Sequence, residues 1–206
     1  MVLAGTAVGA GAASPLQVCA AAKMKCVAKK THAVFACHVK AESKGVALDA
    51  NCIQRAKDKF TNAGPPPGCM EKAEAPGGCL AMGDGPHLGD DVDAFVTDVV
   101  GDVDPGFPTP VKNKCSAAKK KCMDKKVSAL FLCQARAFLA GTAVDQACVQ
   151  AASDKFTHPS DRTGCMEKAE DKKGPCLAAN GDGPHLEEDV DLFVEDLTGD
   201  LTVGIP

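Results

Sequence analysis

The sequence contains no tryptophan and no tyrosine, and only 8 of its 206 residues are phenylalanine. Its hydrophobic core must therefore rely on alanine, valine and leucine, which bury less apolar surface per side chain than an aromatic ring does. The scarcity of aromatic residues also argues against nucleic-acid binding, because single strands are usually held by stacking bases on aromatic side chains. We predict a thin core that needs covalent crosslinks, and no nucleic-acid partner.

No stretch of the sequence approaches the roughly 20 consecutive apolar residues that a membrane-spanning helix needs. No segment alternates apolar and polar residues convincingly, as a half-buried β-strand would. Long segments are instead rich in alanine and lysine without internal proline or glycine, and this composition favours helix. The sequence predicts an all-α protein with no transmembrane span.

Cysteine, by contrast, is abundant, with 12 residues. Successive cysteines are separated by 7, 11, 15, 17 and 10 residues in the first set and by 7, 11, 15, 17 and 11 in the second. We interpret this as a tandem duplication of one small module, with repeats at residues 14–107 and 108–206. An even number of cysteines in each repeat indicates three disulfides per module in an oxidising compartment.

Each repeat is predicted to fold as a helical hairpin followed by a short helix and an amphipathic helix. A glycine ends the long first helix (Gly45, Gly141), and an aspartate begins the second helix as its N-cap (Asp49, Asp145). The closing segment of each repeat has apolar residues at steps of three and four, which is typical of a helix that packs one face on a core. The predicted fold class is thus a duplicated, disulfide-stapled helical module.

The first three cysteines of each repeat are spaced by about two and three helical turns, so they share one stripe of the first helix. Such a stripe cannot crosslink to itself and needs a facing partner. A chain reversal near Gly45 or Gly141 favours a nested pairing, first to sixth, second to fifth and third to fourth, among the roughly 15 pairings open to six cysteines. The predicted disulfides are Cys19–Cys79, Cys26–Cys69, Cys37–Cys52, Cys115–Cys176, Cys122–Cys165 and Cys133–Cys148.

A competing interpretation keeps the cysteines reduced and uses their thiolates, with nearby methionines, to hold Cu(I), which prefers soft sulfur ligands. No two cysteines lie two to four residues apart, however, and that is the spacing which chelation from one turn or helix uses. The spacing therefore favours disulfides over a thiolate metal site.

Residues 1–13 form a run of small and apolar residues that ends in Ala-Gly-Ala-Ala before Ser14. This pattern is typical of the hydrophobic region and cleavage site of a secretory signal, although no lysine or arginine precedes it. We expect residues 1–13 to be a signal-peptide remnant or a flexible leader. Together with the even cysteine count, this predicts a secreted or periplasmic protein.

A net charge of −4 hides a strong separation of charge, because basic residues crowd the start of each repeat and acidic residues crowd its end. One interpretation is that these are solvated helix faces that attract each other when the repeat closes. The other is that the lysine-rich helices bind an anionic glycan, a lipid headgroup or another anionic surface. The lysines concerned are Lys23, Lys25, Lys29, Lys30, Lys40, Lys44, Lys112, Lys114, Lys119, Lys120, Lys121, Lys125 and Lys126.

A Gly-Asp-Gly-Pro-His-Leu segment occurs in both repeats and suggests a second kind of site. Its oxygen-bearing residues and the acidic residues that follow resemble part of an EF-hand-like calcium loop, but a carboxylate is missing at the first position. The alternative is structural: the segment makes a turn, and the acidic residues favour the N-terminus of the last helix. The candidate Ca²⁺ ligands are Asp84, Asp91, Asn180, Asp182 and Asp189.

His87 and His185 occupy equivalent positions and suggest a catalytic pair with Asp84 or Asp182, but no serine or cysteine nucleophile accompanies them. We therefore expect no catalytic residue, no enzyme activity and no cofactor, with Ca²⁺ as the alternative. The sequence favours a non-catalytic binding or structural module whose partner is an unknown protein, a glycan or an anionic surface. The alternatives are metal binding and lipid binding through the lysine-rich helices.

Overall fold

The computed structural model describes residues 12–178 and 180–202 of the chain. Residues 1–11, most of the expected leader, lie outside the described residues. Helix accounts for 69% of the structure, and no β-strand occurs within the described residues, which confirms the prediction of an all-α fold. No helix in these two stretches combines the length and apolar character needed to cross a membrane.

Eight helices occur in the described part of the chain. We call residues 14–107 the first half and residues 108–206 the second half; the helices of the second half follow the same order as those of the first. A long helix is followed in each half by an 11-residue helix, a short helix and a closing helix of 19 or 20 residues. The bounds are α1 (Pro15–Lys44), α2 (Ala50–Phe60), α3 (Cys69–Glu74), α4 (Gly85–Val103), α5 (Lys114–Ala140), α6 (Gln146–Phe156), α7 (Cys165–Lys172) and α8 (Gly183–Thr202).

The long helices begin and end where the local sequence favours it. The Ser14 hydroxyl accepts a hydrogen bond from the Gln17 backbone N–H, and the Gln17 side chain accepts one from the Ser14 N–H, which completes a capping box. Gly45 and Gly141 follow α1 and α5 in the left-handed conformation, with φ of 65° and 62°. Glycine adopts this conformation without the steric cost of a side chain, so the chain can reverse into α2 and α6.

Six disulfides, three in each half, hold the shorter segments of that half against its long helix. They join the cysteines in the nested order, with Cα–Cα distances of 5.0 to 5.9 Å that are ordinary for the bond. Since no cysteine remains free, no thiolate is available for Cu(I), and that alternative is wrong. The bridges are Cys19–Cys79, Cys26–Cys69 and Cys37–Cys52 in the first half, and Cys115–Cys176, Cys122–Cys165 and Cys133–Cys148 in the second.

The two long helices pack against each other in antiparallel orientation. Glu42, near the end of α1, forms an ion pair with Lys120, near the start of α5. Gln17, near the start of α1, lies beside Gly141, which follows the end of α5. One hydrophobic cluster contains buried residues from all eight helices, so the two halves share a core.

The closing helices α4 and α8 lie over the long pair, and each of them contacts both α1 and α5. Four phenylalanine rings connect the halves at this point. Phe95 of α4 stacks on Phe193 of α8 with ring centroids 3.9 Å apart. Each of these two rings also meets a ring of its own long helix in a T-shaped contact, Phe35 at 6.2 Å and Phe131 at 6.0 Å. Half of the aromatic residues of the chain are thus placed at one junction.

We predict that reducing the disulfides lowers the melting temperature sharply, because a core with few aromatic rings offers little to offset the entropy of the open chain. The loop-entropy model assigns about 3 kcal/mol to a 15-residue loop and roughly 4 kcal/mol to one of 60 residues, although nested bridges share this entropy. Circular dichroism melts with and without a phosphine reductant measure the effect. An unchanged melting curve for a protein whose twelve thiols are all titratable would contradict the prediction.

Candidate functional site: a lysine-rimmed groove between the long helices

Five lysines of the long helices are buried, with exposed fractions of 4% or less. The expected attraction between the lysine-rich and the acidic segments occurs, because the acidic segments fold over these five lysines and supply carboxylate partners. The five lysines are buried by this contact, so the expectation that they are solvated is wrong. Burial of an ammonium group requires such partners, since an unpaired charge in the core is very costly. The five are Lys23, Lys30, Lys119, Lys120 and Lys126.

The aspartates of the two Gly-Asp-Gly segments bind two of these buried lysines. Nζ of Lys23 lies 2.6 Å from Oδ1 of Asp84, and Nζ of Lys119 lies 2.6 Å from Oδ1 of Asp182. A glutamate of α3 or α7 supplies a second carboxylate within 3.0 Å of each ammonium. Each Gly-Asp-Gly aspartate is thus already neutralised by a cationic side chain, which competes with any Ca²⁺ ion.

The other candidate Ca²⁺ ligands lie elsewhere. Asp91 and Asp189 lie within α4 and α8, where they are 3.6 and 3.7 Å from ring nitrogens of His87 and His185. Asn180 is exposed in the loop before α8. Among the described residues, no group of three His, Cys, Asp or Glu side chains close enough to share an ion includes either Gly-Asp-Gly aspartate. The structure therefore does not bring the five candidates together.

The ion pairs whose two partners are both deeply buried join the two halves. Nζ of Lys120 lies 2.9 Å from Oε2 of Glu42 and 3.5 Å from Oδ2 of Asp104, the residue that follows α4. All three side chains are at most 1% exposed. The ammonium group of Lys120 in α5 thus contacts carboxylates at the ends of both α1 and α4.

This environment shifts two pKa values in opposite directions. Burial raises the pKa of Glu42 to about 7, against the opposing effect of the Lys120 ammonium. Burial, assisted by the positive charge of Lys120, lowers the pKa of His38 to about 4. His38 is therefore neutral at neutral pH, and its ring packs against Phe107 with centroids 5.6 Å apart.

A groove of about 310 Å³ runs between α1 and α5, next to this network. Its apolar residues come from α1, and two of its three lysines come from α5. Phe35 and Val39 are 1% and 9% exposed and form the base of the groove, whereas the lysines are exposed at its edge. The lining consists of His32, Phe35, Ala36, Val39, Lys40, Lys121, Asp124 and Lys125.

The single carboxylate in the groove lining is paired within the groove. Oδ2 of Asp124 lies 2.7 Å from Nδ1 of His32. Burial raises the pKa of Asp124, although the hydrogen bond with His32 opposes that shift. Three exposed lysines therefore outweigh one paired carboxylate, and the groove combines an apolar base with positive charge. This combination suits a small ligand with an apolar body and an anionic group.

Sequence reasoning missed this groove because its two sides lie far apart in the chain, with His32 and Asp124 separated by 92 residues. The only signal was a difference between corresponding positions of the two halves. Ala36 in α1 corresponds to Leu132 in α5, which is 41% exposed. An alanine side chain leaves more space at the groove than a leucine would.

No protein-family model, curated protein or solved structure matches the chain significantly. The fold defines the class to which the protein belongs: small, helical and rich in disulfides. Its six disulfides fit an extracellular or other oxidising compartment.

We predict that Lys120→Met lowers the free energy of unfolding by about 3–5 kcal/mol, because it leaves the carboxylates of Glu42 and Asp104 buried without a cation. Urea denaturation followed by circular dichroism measures this change. Lys121→Met, at the exposed neighbouring position, is the matched control and should cost less than about 0.5 kcal/mol. Equal losses in the two variants would show that Lys120 has no special role.

The raised pKa of Glu42 predicts that the effect of Glu42→Gln depends on pH. The folded-state pKa of about 7 exceeds the ordinary value of 4.5, so stability from this group is lost as the pH rises from about 4.5 to about 7. The wild type should lose roughly 1–3 kcal/mol relative to the variant over that interval. Melting temperatures of both proteins at pH 5 and pH 8 test this. His38 is present in both proteins, so its contribution, which has the opposite pH dependence, cancels in the difference between them. A difference independent of pH would refute the assignment.

Proposed function

We propose that this protein is a secreted, non-catalytic binding protein that holds a small amphipathic anion in the groove between α1 and α5. The observation that carries the proposal is the combination of a buried apolar base with three exposed lysines in one cavity. The six disulfides support export, because such bonds persist in oxidising compartments.

The size of the groove favours a small molecule over a macromolecule. Its volume of about 310 Å³ lies at the lower end of the range that ligand pockets cover, about 300–1,000 Å³. Phe35, Ala36 and Val39 present apolar surface to the body of the ligand, and a carboxylate or sulfonate group at its end would face Lys121 and Lys125.

This proposal narrows the anionic-surface hypothesis to a defined set of lysines. The five buried lysines are engaged with carboxylates and are shielded from any external ligand. Lys40, Lys121 and Lys125 are exposed at the groove and are free of that constraint. Ca²⁺ binding at the Gly-Asp-Gly segments is not favoured, because ammonium groups already neutralise their aspartates.

Two fluorescent probes that differ by one charged group test the proposal. 1-Anilinonaphthalene-8-sulfonate carries an apolar ring system with a sulfonate, and N-phenyl-1-naphthylamine is the same ring system without it. The absence of tryptophan and tyrosine leaves the protein with little background fluorescence. We expect the folded protein to bind the sulfonate probe more tightly than the neutral probe, with one site per chain.

Variants of the groove separate its apolar and ionic contributions. Ala36→Leu, which copies the residue found at Leu132, should abolish binding of both probes by filling the groove. The double variant Lys121→Gln/Lys125→Gln should weaken the sulfonate probe on the order of tenfold while leaving the neutral probe unchanged, since each exposed charge contributes up to about 1 kcal/mol. Leu132→Ala is the matched control and should leave sulfonate binding intact. Undiminished binding by the Ala36→Leu protein would overturn the proposal.

A further inference from the structure

Two clusters of potential metal ligands lie where α4 and α8 pack together. Each cluster contains one histidine and two aspartates, whose ligand atoms all lie within 4.8 Å of one another. In each, the histidine and one aspartate come from one helix, four residues apart, and the second aspartate comes from the end of the other helix. The triads are His87, Asp91 and Asp200, and Asp102, His185 and Asp189.

The antiparallel packing of α4 and α8 creates both triads at once. His185, near the start of α8, lies with Nε2 4.0 Å from Oδ2 of Asp102, near the end of α4. The first triad has the same composition at the other end of the helix pair, where His87 near the start of α4 meets Asp200 near the end of α8. Every ligand of one triad thus has its equivalent in the other.

One carboxylate oxygen in each triad lacks a hydrogen-bond donor. Oδ2 of Asp91 and Oδ2 of Asp189 are buried within their triads and accept no hydrogen bond. Their histidine neighbours lie at 3.6 and 3.7 Å, which is too far for a hydrogen bond. A cation placed between the three side chains would satisfy these oxygens.

We propose that each triad binds one divalent zinc ion, so that the chain holds two. Zn²⁺ accepts imidazole nitrogen and carboxylate oxygen at about 2.0–2.2 Å, which sets neighbouring ligand atoms about 3.4 Å apart in a tetrahedral site. The ligand atoms of each triad, which lie within 4.8 Å of one another, must move closer together to reach that separation. Ca²⁺ is a poorer fit, because it prefers six to eight oxygen ligands and not an imidazole.

The surroundings leave room for the remaining coordination positions. The first triad lines an open cavity of about 480 Å³ between α4 and α8, together with Phe95 and Phe193. A further aspartate, Asp196, lines this cavity, and no lysine or arginine does among the described residues. Water from the cavity can complete the coordination shell of a three-ligand site, and the excess of carboxylates favours a cation.

Zinc titration of the tag-free, disulfide-intact protein tests the proposal. Isothermal titration calorimetry at pH 7.5 should give two Zn²⁺ ions per chain, with an excess of Ca²⁺ unable to compete. His87→Ala and His185→Ala should each reduce the stoichiometry to one, and the double variant should reduce it to zero. Zinc should also raise the melting temperature of the wild type and not of the double variant, because each ion links two helices.

His158→Ala is the matched control, since His158 also lies beside an aspartate, Asp161, at 2.7 Å but belongs to neither triad. It should leave two ions bound. Both triad histidines are largely exposed, with 72% and 66% of their side chains accessible, so their removal leaves the fold intact, which circular dichroism verifies. The proposal is overturned if zinc fails to bind, if the double variant still binds it, or if calcium displaces it.

Discussion

Both candidate sites depend on how the two halves of the chain pack, above all on α1 lying antiparallel to α5. That contact brings the start of α5 beside the end of α1 and lets α4 and α8 meet across the pair. The six disulfides do not contribute to it directly, because every one of them joins residues of the same half. The disulfides therefore crosslink each half internally, whereas the contacts between the halves consist of hydrophobic packing, buried charge and the His32–Asp124 hydrogen bond.

Buried charge restricts the ways in which these helices can align. An ion pair in the core adds little net stability, yet a shifted alignment that separates it leaves two uncompensated charges and costs several kcal/mol. Lys30 and Lys126 make equivalent pairs with Asp93 and Asp191, so each fixes the position of a closing helix on its own long helix. Lys120 does the same between the halves. We infer that charge supplies the specificity that a core of small aliphatic side chains lacks.

The local structure of each half was predictable because its signals lie close together in the sequence. The helix ends at Gly45 and Gly141 and the apolar stripes of α4 and α8 follow from backbone preferences and helical period alone. The burial of the lysines was not predictable in the same way. A lysine is normally exposed, and the partner that makes burial of Lys23 tolerable, Asp84, lies 61 residues away. The packing between the halves could not be predicted either. An amphipathic pattern shows that a helix face is buried, but it does not identify the element that packs against that face.

The groove and the triads differ in whether their residues have counterparts in both halves. The triads occur twice, because their three ligands have counterparts in both halves. The groove residues do not, since the equivalents of His32 and Ala36 are Ser128 and Leu132. Yet neither site can form in an isolated half: each triad takes its third ligand from the other closing helix, and the groove takes one wall from each long helix. The unit on which any binding function depends is therefore the packed pair of halves.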